Sequence, residues 1–158
     1  MRVGMGYDSH RFVAGDHVFI GGVRIPCRYG VMAHSDGDVL LHALVDALLG
    51  AAVLGDIGTH FPDTEAQFKH KDSCYFVMTT MNLLKQQHLQ LCHMDATIIA
   101  ETPKLMPYIP AIREQISDLV QLPMTHISVK AKSNEKMGWI GREEGLAAMV
   151  VVSLTCCL

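Results

Sequence analysis

Residues 34–56, HSDGDVLLHALVDALLGAAVLGD, constrain the fold more than any other stretch of the sequence. From Asp38 onward the apolar residues recur near the 3.6-residue spacing of an α-helix, with alanines between them. Ser35 and Asp36 are expected to cap the start of this helix, and Gly55 is expected to end it. The chain must therefore fold around one strongly apolar helix.

Asp38, His42 and Asp46 form a polar stripe inside this apolar helix. They stand four residues apart, so their side chains stack along one face. One interpretation is a solvated face that carries ordinary salt bridges. The other makes His42 a metal ligand whose imidazole ring is oriented by Asp46, one turn further on. The helix alone leaves both interpretations open.

The N-terminal segment, residues 2–12, alternates as a β-strand does. Gly4 and Gly6 share one side of this strand with Asp8 and His10. The glycines are expected to leave space beside the strand, into which Asp8 and His10 point together. A carboxylate and an imidazole two residues apart can both reach one divalent cation. The alternative is a simple hydrogen bond between the two side chains at the end of a strand.

Length and composition limit the class of protein. The 158 residues are expected to form one domain, residues 1–158, with a solid core, since 49% of them are hydrophobic and 18% are charged. No apolar run is long enough to span a membrane, and the first residues do not resemble a signal peptide. The net charge of −3 argues against a nucleic-acid partner. Five cysteines without CxxC spacing are expected to be thiols in a reducing compartment, the cytoplasm.

The rest of the chain predicts a mixed architecture. A hairpin is expected at residues 17–26 with Gly21-Gly22 as its turn, and residues 55–72 are expected to form a loop that closes over a ligand. Residues 73–88 predict a second helix with Tyr75, Phe76, Met78 and Leu83 turned inward. A third helix is expected from Ile109 to Leu119, with further strands at 89–100, 127–131 and 146–154.

This order of elements predicts an α+β fold, a mixed α/β sandwich with a ferredoxin-like layout, in which a four-stranded mixed sheet is covered by helices.

Asp8, His10 and His42 together make a set of two histidines and one carboxylate. Three protein ligands leave one position open on a tetrahedral zinc ion, which is typical of a catalytic site. His34 and Ser35 at the start of the helix, Lys104 in a proline-rich loop and Glu135 in a late loop add groups suited to a phosphorylated substrate. Ser35 can equally be a plain helix cap, and Lys104 a solvated cation. From the residues alone we predict metal-assisted phosphoryl chemistry.

Four motifs carry a more specific resemblance. GMGYDSHRF, AHSDGDVLLHALVDALLGAAVLGDIGTHFPDT, TPKLMP and VKAKSNEKMGWIGREEG, in this order and over nearly the whole chain, resemble the 2-C-methyl-D-erythritol 2,4-cyclodiphosphate synthase family of the non-mevalonate isoprenoid pathway. The resemblance implies a lyase that converts 4-diphosphocytidyl-2-C-methyl-D-erythritol 2-phosphate into a cyclic diphosphate and releases CMP. It also implies a homotrimer with active sites between subunits.

The same resemblance implies roles for individual residues. Asp8, His10 and His42 match the zinc ligands, and Glu135 matches the ligand of a magnesium or manganese ion on the substrate diphosphate. His34 and Ser133 match residues near the transition state. The positions that match substrate-binding residues are Ser35, Asp56, Ile57, Gly58, Phe61, Pro62, Asp63, Thr64, Glu65, Ala100, Glu101, Thr102, Pro103, Lys104, Leu105, Met106, Lys132, Asn134, Trp139 and Arg142.

Two positions depart from the family pattern. Lys132 stands where a small polar residue is common, and either faces solvent, which we favour, or contacts phosphate. Trp139 stands where phenylalanine is common, and its larger ring is expected to narrow a channel along the trimer axis that can hold an isoprenoid diphosphate.

Two other functions use the same residues. A metal-dependent phosphohydrolase would place an activated water on the open metal position and release free phosphate. A binding module for nucleotides or isoprenoid diphosphates would hold a structural zinc with four protein ligands.

Overall fold

A computed structural model describes residues 1–69 and 71–156, so that Cys157 of the five predicted thiols and residue 70 of the predicted loop lie outside it. The strands of the described residues are β1 (Arg2–Ala14), β2 (His17–Ile20), β3 (Val23–Pro26), β4 (Tyr29–Val31), β5 (Leu89–Ile99), β6 (Ile127–Lys132) and β7 (Gly145–Cys156). The α-helices are α1 (Val39–Ala52), α2 (Ile57–His60), α3 (Ser73–Gln86), α4 (Ile109–Val120) and α5 (Gly138–Gly141).

Five of the strands form one mixed sheet in the order β4-β1-β7-β5-β6, in which only β5 and β6 are parallel neighbours. The predicted α+β class with helices on a mixed sheet is confirmed. The sheet has five strands where the sequence predicted four, because Tyr29–Val31 pairs with Phe12–Ala14 as a short edge strand. The main elements follow the order β1-α1-α3-β5-α4-β6-β7, that is β-α-α-β-α-β-β, whereas a ferredoxin-like domain has β-α-β-β-α-β.

The hairpin of β2 and β3 stands outside this sheet and turns at Gly21 and Gly22, as predicted. Both glycines have positive φ angles, 62° and 78°, which glycine adopts without strain.

Helix α1 lies directly on β1 because two strand positions lack a side chain. A Cβ atom built on Gly4 would stand 2.1 Å from the carbonyl oxygen of Ala47, and one built on Gly6 would stand 1.9 Å from that of Ala43. The glycines thus leave space beside the strand, as predicted, and the backbone of α1 fills it. The close approach brings the helix within reach of the polar end of β1.

Asp38 begins helix α1 as its N-cap, which corrects the prediction of Ser35 and Asp36 for this role. Its side chain is fully buried. One carboxylate oxygen accepts from the backbone N–H groups of Leu40 and Leu41 at 3.1 and 3.0 Å. The two oxygens also accept from the backbone N–H groups of the hairpin-turn glycines, at 2.9 and 2.7 Å. Asp38 thus joins the hairpin to the helix and does not belong to a solvated stripe.

Helix α1 ends two residues earlier than expected. Its C-cap is Val53, which adopts a left-handed conformation with φ 61°, and not Gly55.

The inward face of α3 differs from the predicted one. Phe76 is buried as expected, and Val77 and Leu84 are buried with it. Tyr75 and Met78 are 37% and 48% exposed, so their predicted inward orientation is wrong. Leu83 is half-buried against the core.

The sheet face opposite the helices carries an uncovered apolar patch. On β1, Val3, Met5 and Tyr7 are exposed, and on β7, Met149 and Val151 are exposed. Met5 pairs with Val151 and Tyr7 with Met149, so these side chains are direct cross-strand neighbours. We call these five residues the apolar sheet face. None of the helices among the described residues has the length and apolar character needed to cross a membrane.

Candidate metal centre and substrate pocket

Asp8, His10 and His42 meet where the polar end of β1 passes under α1. Asp8 Oδ2 lies 3.1 Å from His10 Nε2 and 3.1 Å from His42 Nδ1, and the two nitrogens lie 3.2 Å apart. Ligands at zinc–nitrogen distances of about 2.0–2.1 Å in a tetrahedron are separated by about 3.3 Å. The three ligand atoms therefore already have the spacing of one face of a tetrahedral metal site, and they could hold a metal ion.

The electrostatics of the cluster favour a cation. Burial raises the pKa of Asp8, but the neighbouring imidazoles of His10 and His42 lower it by more, so that the pKa ends well below its usual range. Asp8 is thus ionised at neutral pH, as a metal ligand must be.

The second ring nitrogen of His42 is held by hydroxyl groups. His42 Nε2 lies 2.9 Å from Ser73 Oγ and 3.0 Å from Ser35 Oγ. Asp46 instead accepts the backbone N–H of Ile57 at 2.8 Å, at the start of α2. The interpretation of Asp46 as the group that orients His42 is therefore wrong, and serine side chains take that place.

A pocket of about 430 Å³ opens beside the metal cluster. Its wall contains eight of the substrate-side positions that the family resemblance implied, together with both histidines of the metal cluster. Its lining residues are His10, Ala33, His34, Ser35, His42, Ile57, Gly58, Phe61, Pro62, Asp63, Thr64, Phe68 and Phe76. The predicted closing loop thus forms one side of this pocket.

The closing loop is held by aromatic contacts. The ring of Phe61 lies 4.8 Å from that of Phe76 and 5.6 Å from that of Phe68, measured between centroids. Phe76 also lies 6.1 Å from the ring of His42. At the start of this loop, Asp56 caps α2 by accepting the backbone N–H of Thr59 at 2.8 Å. Apolar rings can therefore exclude water from the side of the pocket that faces the cluster.

A second group of implied site residues lies together elsewhere, where the loop after β5 meets the loop after β6. The backbone N–H of Ala100 donates to the carbonyl of Lys132 at 2.9 Å. Glu101 Oε1 accepts from the backbone N–H groups of Asn134 and Lys136 at 3.0 and 2.9 Å. Ser133 Oγ donates to Glu135 Oε1 at 2.5 Å.

We call residues 100–106 and 132–135 the second group. Within it, Lys104, Met106, Lys132, Ser133 and Glu135 are exposed, whereas Pro103 and Leu105 are buried. None of these residues lines the pocket at the metal cluster in the described part of one chain. A single subunit therefore does not join the two halves of the implied site.

Trp139 and Arg142, the last two implied positions, lie near the strand that carries the metal ligands. Trp139 lines a cleft with Ser9, His10, Arg11 and Glu144. Arg142 Nε donates to Glu144 Oε1 at 2.6 Å.

Sequence reasoning missed several residues of the pocket and the cluster. Phe68 and Phe76 were not expected in the pocket wall, although Phe68 lies within the predicted closing loop and Phe76 lies in the first turn of the helix that follows it. Ser73 was expected only as part of a helix, and nothing in its local sequence indicates a contact with His42, which lies 31 residues away.

Comparison with known proteins agrees with this geometry. The model of the YgbB family matches residues 1–155. Proteins named 2-C-methyl-D-erythritol 2,4-cyclodiphosphate synthase from Pseudomonas entomophila and Nitrosococcus oceani are each 52% identical over 154 residues, which are 98% of this chain and 98% of each relative.

Solved structures agree as well. A CDP-bound structure of 2C-methyl-D-erythritol-2,4-cyclodiphosphate synthase has a TM-score of 0.90 at 36% identity and covers 98% of this chain and 100% of its own. A bifunctional protein from Campylobacter jejuni has a TM-score of 0.94 at 39% identity over 98% of this chain, which spans 42% of that protein.

Proposed function

The chain belongs to the YgbB family, whose matched relatives are cyclodiphosphate synthases, and we propose that it catalyses their reaction. The substrate is 4-diphosphocytidyl-2-C-methyl-D-erythritol 2-phosphate. An oxygen of the 2-phosphate attacks the β-phosphorus, and a new P–O bond closes the 2,4-cyclodiphosphate ring. The bond from the β-phosphorus to the bridging oxygen breaks, and CMP leaves with that oxygen and its electron pair.

The observation that carries this proposal is the triangle of Asp8, His10 and His42 in the wall of a pocket closed by a loop. Three ligands of this type leave a coordination position for a phosphoryl oxygen, which a structural zinc site does not. We assign zinc to this cluster; when bound, it supplies positive charge that polarises the phosphoryl group under attack. A fourth protein ligand, which the binding-module alternative needs, is not found beside the cluster among the described residues.

The residues of the pocket bind and orient the sugar phosphate. His34 and Ser35 precede the N-terminus of α1, where the helix dipole favours an anion. Ile57 and Gly58 are placed to contact the methylerythritol unit, and the loop of residues 61–65 closes over it. Because the attacking phosphate is already an anion, no strong general base is needed, and holding both ends of the substrate supplies proximity worth about 7–11 kcal/mol.

The second group binds the nucleotide end of the substrate. Glu135 is placed to hold magnesium or manganese, which when bound offsets the charge of the diphosphate. Lys104 adds a cation, and Ser133 Oγ can donate to a phosphate oxygen. The CDP-bound structure of a relative supports a nucleotide ligand of this type.

Turnover of the cytidyl substrate tests the function. We expect a cyclic diphosphate and CMP in equal amounts, loss of turnover with a chelator, and restoration by zinc together with magnesium. Release of free inorganic phosphate would favour the hydrolase. Near-normal turnover by His42→Ala would remove the metal cluster from the mechanism.

A homotrimer would join the two halves of the site. The apolar sheet face leaves five large apolar side chains in water in one subunit, which is typical of a surface that pairs with another chain. The separation of the second group from the metal cluster supports a site built from two neighbouring subunits. Sedimentation velocity should give the mass of three chains.

Mixed assemblies test whether the sites lie between subunits. His42→Ala and Glu135→Ala chains are each expected to be inactive alone. If each site takes one half from each of two neighbours, random trimers from an equal mixture should recover about a quarter of the wild-type turnover. No recovery from trimers shown to be mixed would place both halves in one chain.

An isoprenoid diphosphate in the trimer channel is a further expectation, and Trp139 is the residue that would limit it. Trp139 is 37% exposed and packs close to Gly145, the first residue of β7. We expect Trp139→Phe to bind isoprenoid diphosphates more tightly than the wild type, as measured by calorimetry. Equal affinity would refute the narrowing.

Residues 1–158 act as one domain in this proposal, since the family match spans 1–155. We also propose a cytoplasmic location. The four cysteines among the described residues, Cys27, Cys74, Cys92 and Cys156, are free thiols, which a reducing compartment maintains.

A further inference from the structure

A buried serine and an aspartate stand behind the metal-cluster histidine. Ser73 is the first residue of α3 and is fully buried. Its Oγ lies 2.9 Å from His42 Nε2 and donates a short hydrogen bond to Asp36 Oδ1. Its backbone N–H donates to the other oxygen, Asp36 Oδ2, at 3.0 Å. Asp36, Ser73 and His42 therefore form a continuous hydrogen-bonded row that ends at the metal cluster.

The direction of the bonds in this row follows from the number of protons. A carboxylate only accepts, and a serine hydroxyl has one hydrogen to give. Because Asp36 takes that hydrogen, Ser73 Oγ can only accept from His42. His42 Nε2 must then carry the N–H, which leaves the lone pair of Nδ1 pointing towards Asp8 and His10.

Ser35 contacts the same nitrogen of His42 but does not determine which of the two atoms donates the hydrogen bond. Its Oγ lies 3.0 Å from His42 Nε2 and accepts the backbone N–H of Gly37 at 3.2 Å. Among residues 1–69 and 71–156, its own hydroxyl hydrogen has no other acceptor that fixes it, so this hydroxyl can adapt to either tautomer of His42. The choice between the tautomers therefore rests with Ser73.

We propose that Ser73 and Asp36 are positioning residues that fix His42 as its Nε2–H tautomer and so present Nδ1 to the metal ion. This inference rests on the proposed metal centre at Asp8, His10 and His42. Asp36 also contacts the closing loop, because the backbone N–H of Asp36 donates to the carbonyl of Lys71 at 3.3 Å. The end of the closing loop and the metal-cluster histidine thus share one anchor.

Zinc affinity tests the proposal without any assay of turnover. The Kd for zinc is measured by competition with a chromophoric chelator for the wild type and Ser73→Ala. We expect Ser73→Ala to bind zinc about 10–100-fold more weakly, which is the usual effect of removing the hydrogen-bond partner of a metal-bound histidine. Asp36→Asn leaves one oxygen for the two Ser73 donors, so it should weaken zinc binding in the same direction.

Thr80→Val is the matched control. Thr80 is also fully buried on α3, and its hydroxyl donates to the carbonyl of Phe76, with no contact to the metal cluster. It removes a buried hydroxyl from the same helix but should keep a zinc Kd within about twofold of the wild type. Thermal melting of each variant separates a folding defect from a defect in the site.

The tautomer itself is read by NMR of the zinc-loaded protein with 15N-labelled histidine. For His42 we expect a proton on Nε2 and the shift of a metal-bound nitrogen at Nδ1. A wild-type zinc Kd in both Ser73→Ala and Asp36→Asn, or zinc on Nε2, would overturn the proposal while leaving the metal centre intact. A wild-type protein that does not bind zinc would instead refute the metal centre on which the proposal rests.

Discussion

Gly6→Ala should disrupt the metal cluster although Gly6 touches no ligand. The added Cβ would stand 1.9 Å from the carbonyl oxygen of Ala43 and 2.7 Å from the backbone nitrogen of Ala47. An ordinary contact is at least 3.4 Å, so α1 would have to retreat from β1 by about 1.5 Å, and both obstacles are backbone atoms that no rotamer change can move. His42, the residue before Ala43, would move with the helix.

Metal ligands tolerate errors of only about 0.2 Å, so a shift of this size should weaken zinc binding at least about 100-fold. Overpacking should also cost about 3 kcal/mol or more of unfolding free energy. Chelator competition measures the zinc affinity, and urea unfolding measures the free energy of unfolding.

Gly50→Ala is the control for that experiment, because it lies on the same helix and a Cβ there meets nothing within 4 Å. It should stabilise the protein by about 0.5–1 kcal/mol and leave the zinc Kd unchanged. A Gly6→Ala protein with wild-type stability and zinc affinity would show that α1 does not depend on the missing side chain.

Three further outcomes are expected. Glu101→Ala should weaken the binding of manganese and of CDP about tenfold in calorimetry, because the backbone N–H groups of Asn134 and Lys136 lose their acceptor. Glu101→Gln keeps one side-chain oxygen and should lose less affinity. Equal affinities in the wild type, Glu101→Ala and Glu101→Gln would refute this role. Asp38→Ala should cost at least about 3 kcal/mol of unfolding free energy in urea, since four backbone N–H groups, three of them in buried hydrogen bonds, lose their partner. A loss below about 1 kcal/mol would contradict this role.

Because the pKa of Asp8 is lower in the folded than in the unfolded chain, its contribution to stability is complete above about pH 4 and lost as the pH falls. The Tm of chelated wild type should therefore drop more between pH 5 and pH 3 than that of Asp8→Asn, and parallel curves would exclude this contribution.

Local pattern was sufficient for much of the architecture. The alternation of residues 2–12, the 3.6-residue spacing after Asp38 and the Gly21-Gly22 turn each predicted an element that the structure contains. The grouping of Asp8, His10 and His42 was also predicted, because strand and helix periodicity place each side chain on a definite face.

The parts that failed depend on contacts between distant segments. Asp38 has the same local sequence whether it faces solvent or accepts from the hairpin turn, and only the position of the hairpin decides between them. The same holds for Ser73, because its contact with His42 exists only where α3 packs against α1. Glycines in a strand indicate a close approach but do not say which backbone approaches.

The pairing of β1 with β7 has a consequence for synthesis in the cell. Asp8 and His10 lie opposite Ala148 and Leu146, on a strand made about 140 residues later. Until residues 145–156 have been synthesised and have left the ribosome, the segment bearing two of the three ligands has no strand neighbour on that side. Cation uptake should therefore wait for this strand, and truncation within residues 145–156 should abolish it although none of the ligands lies there.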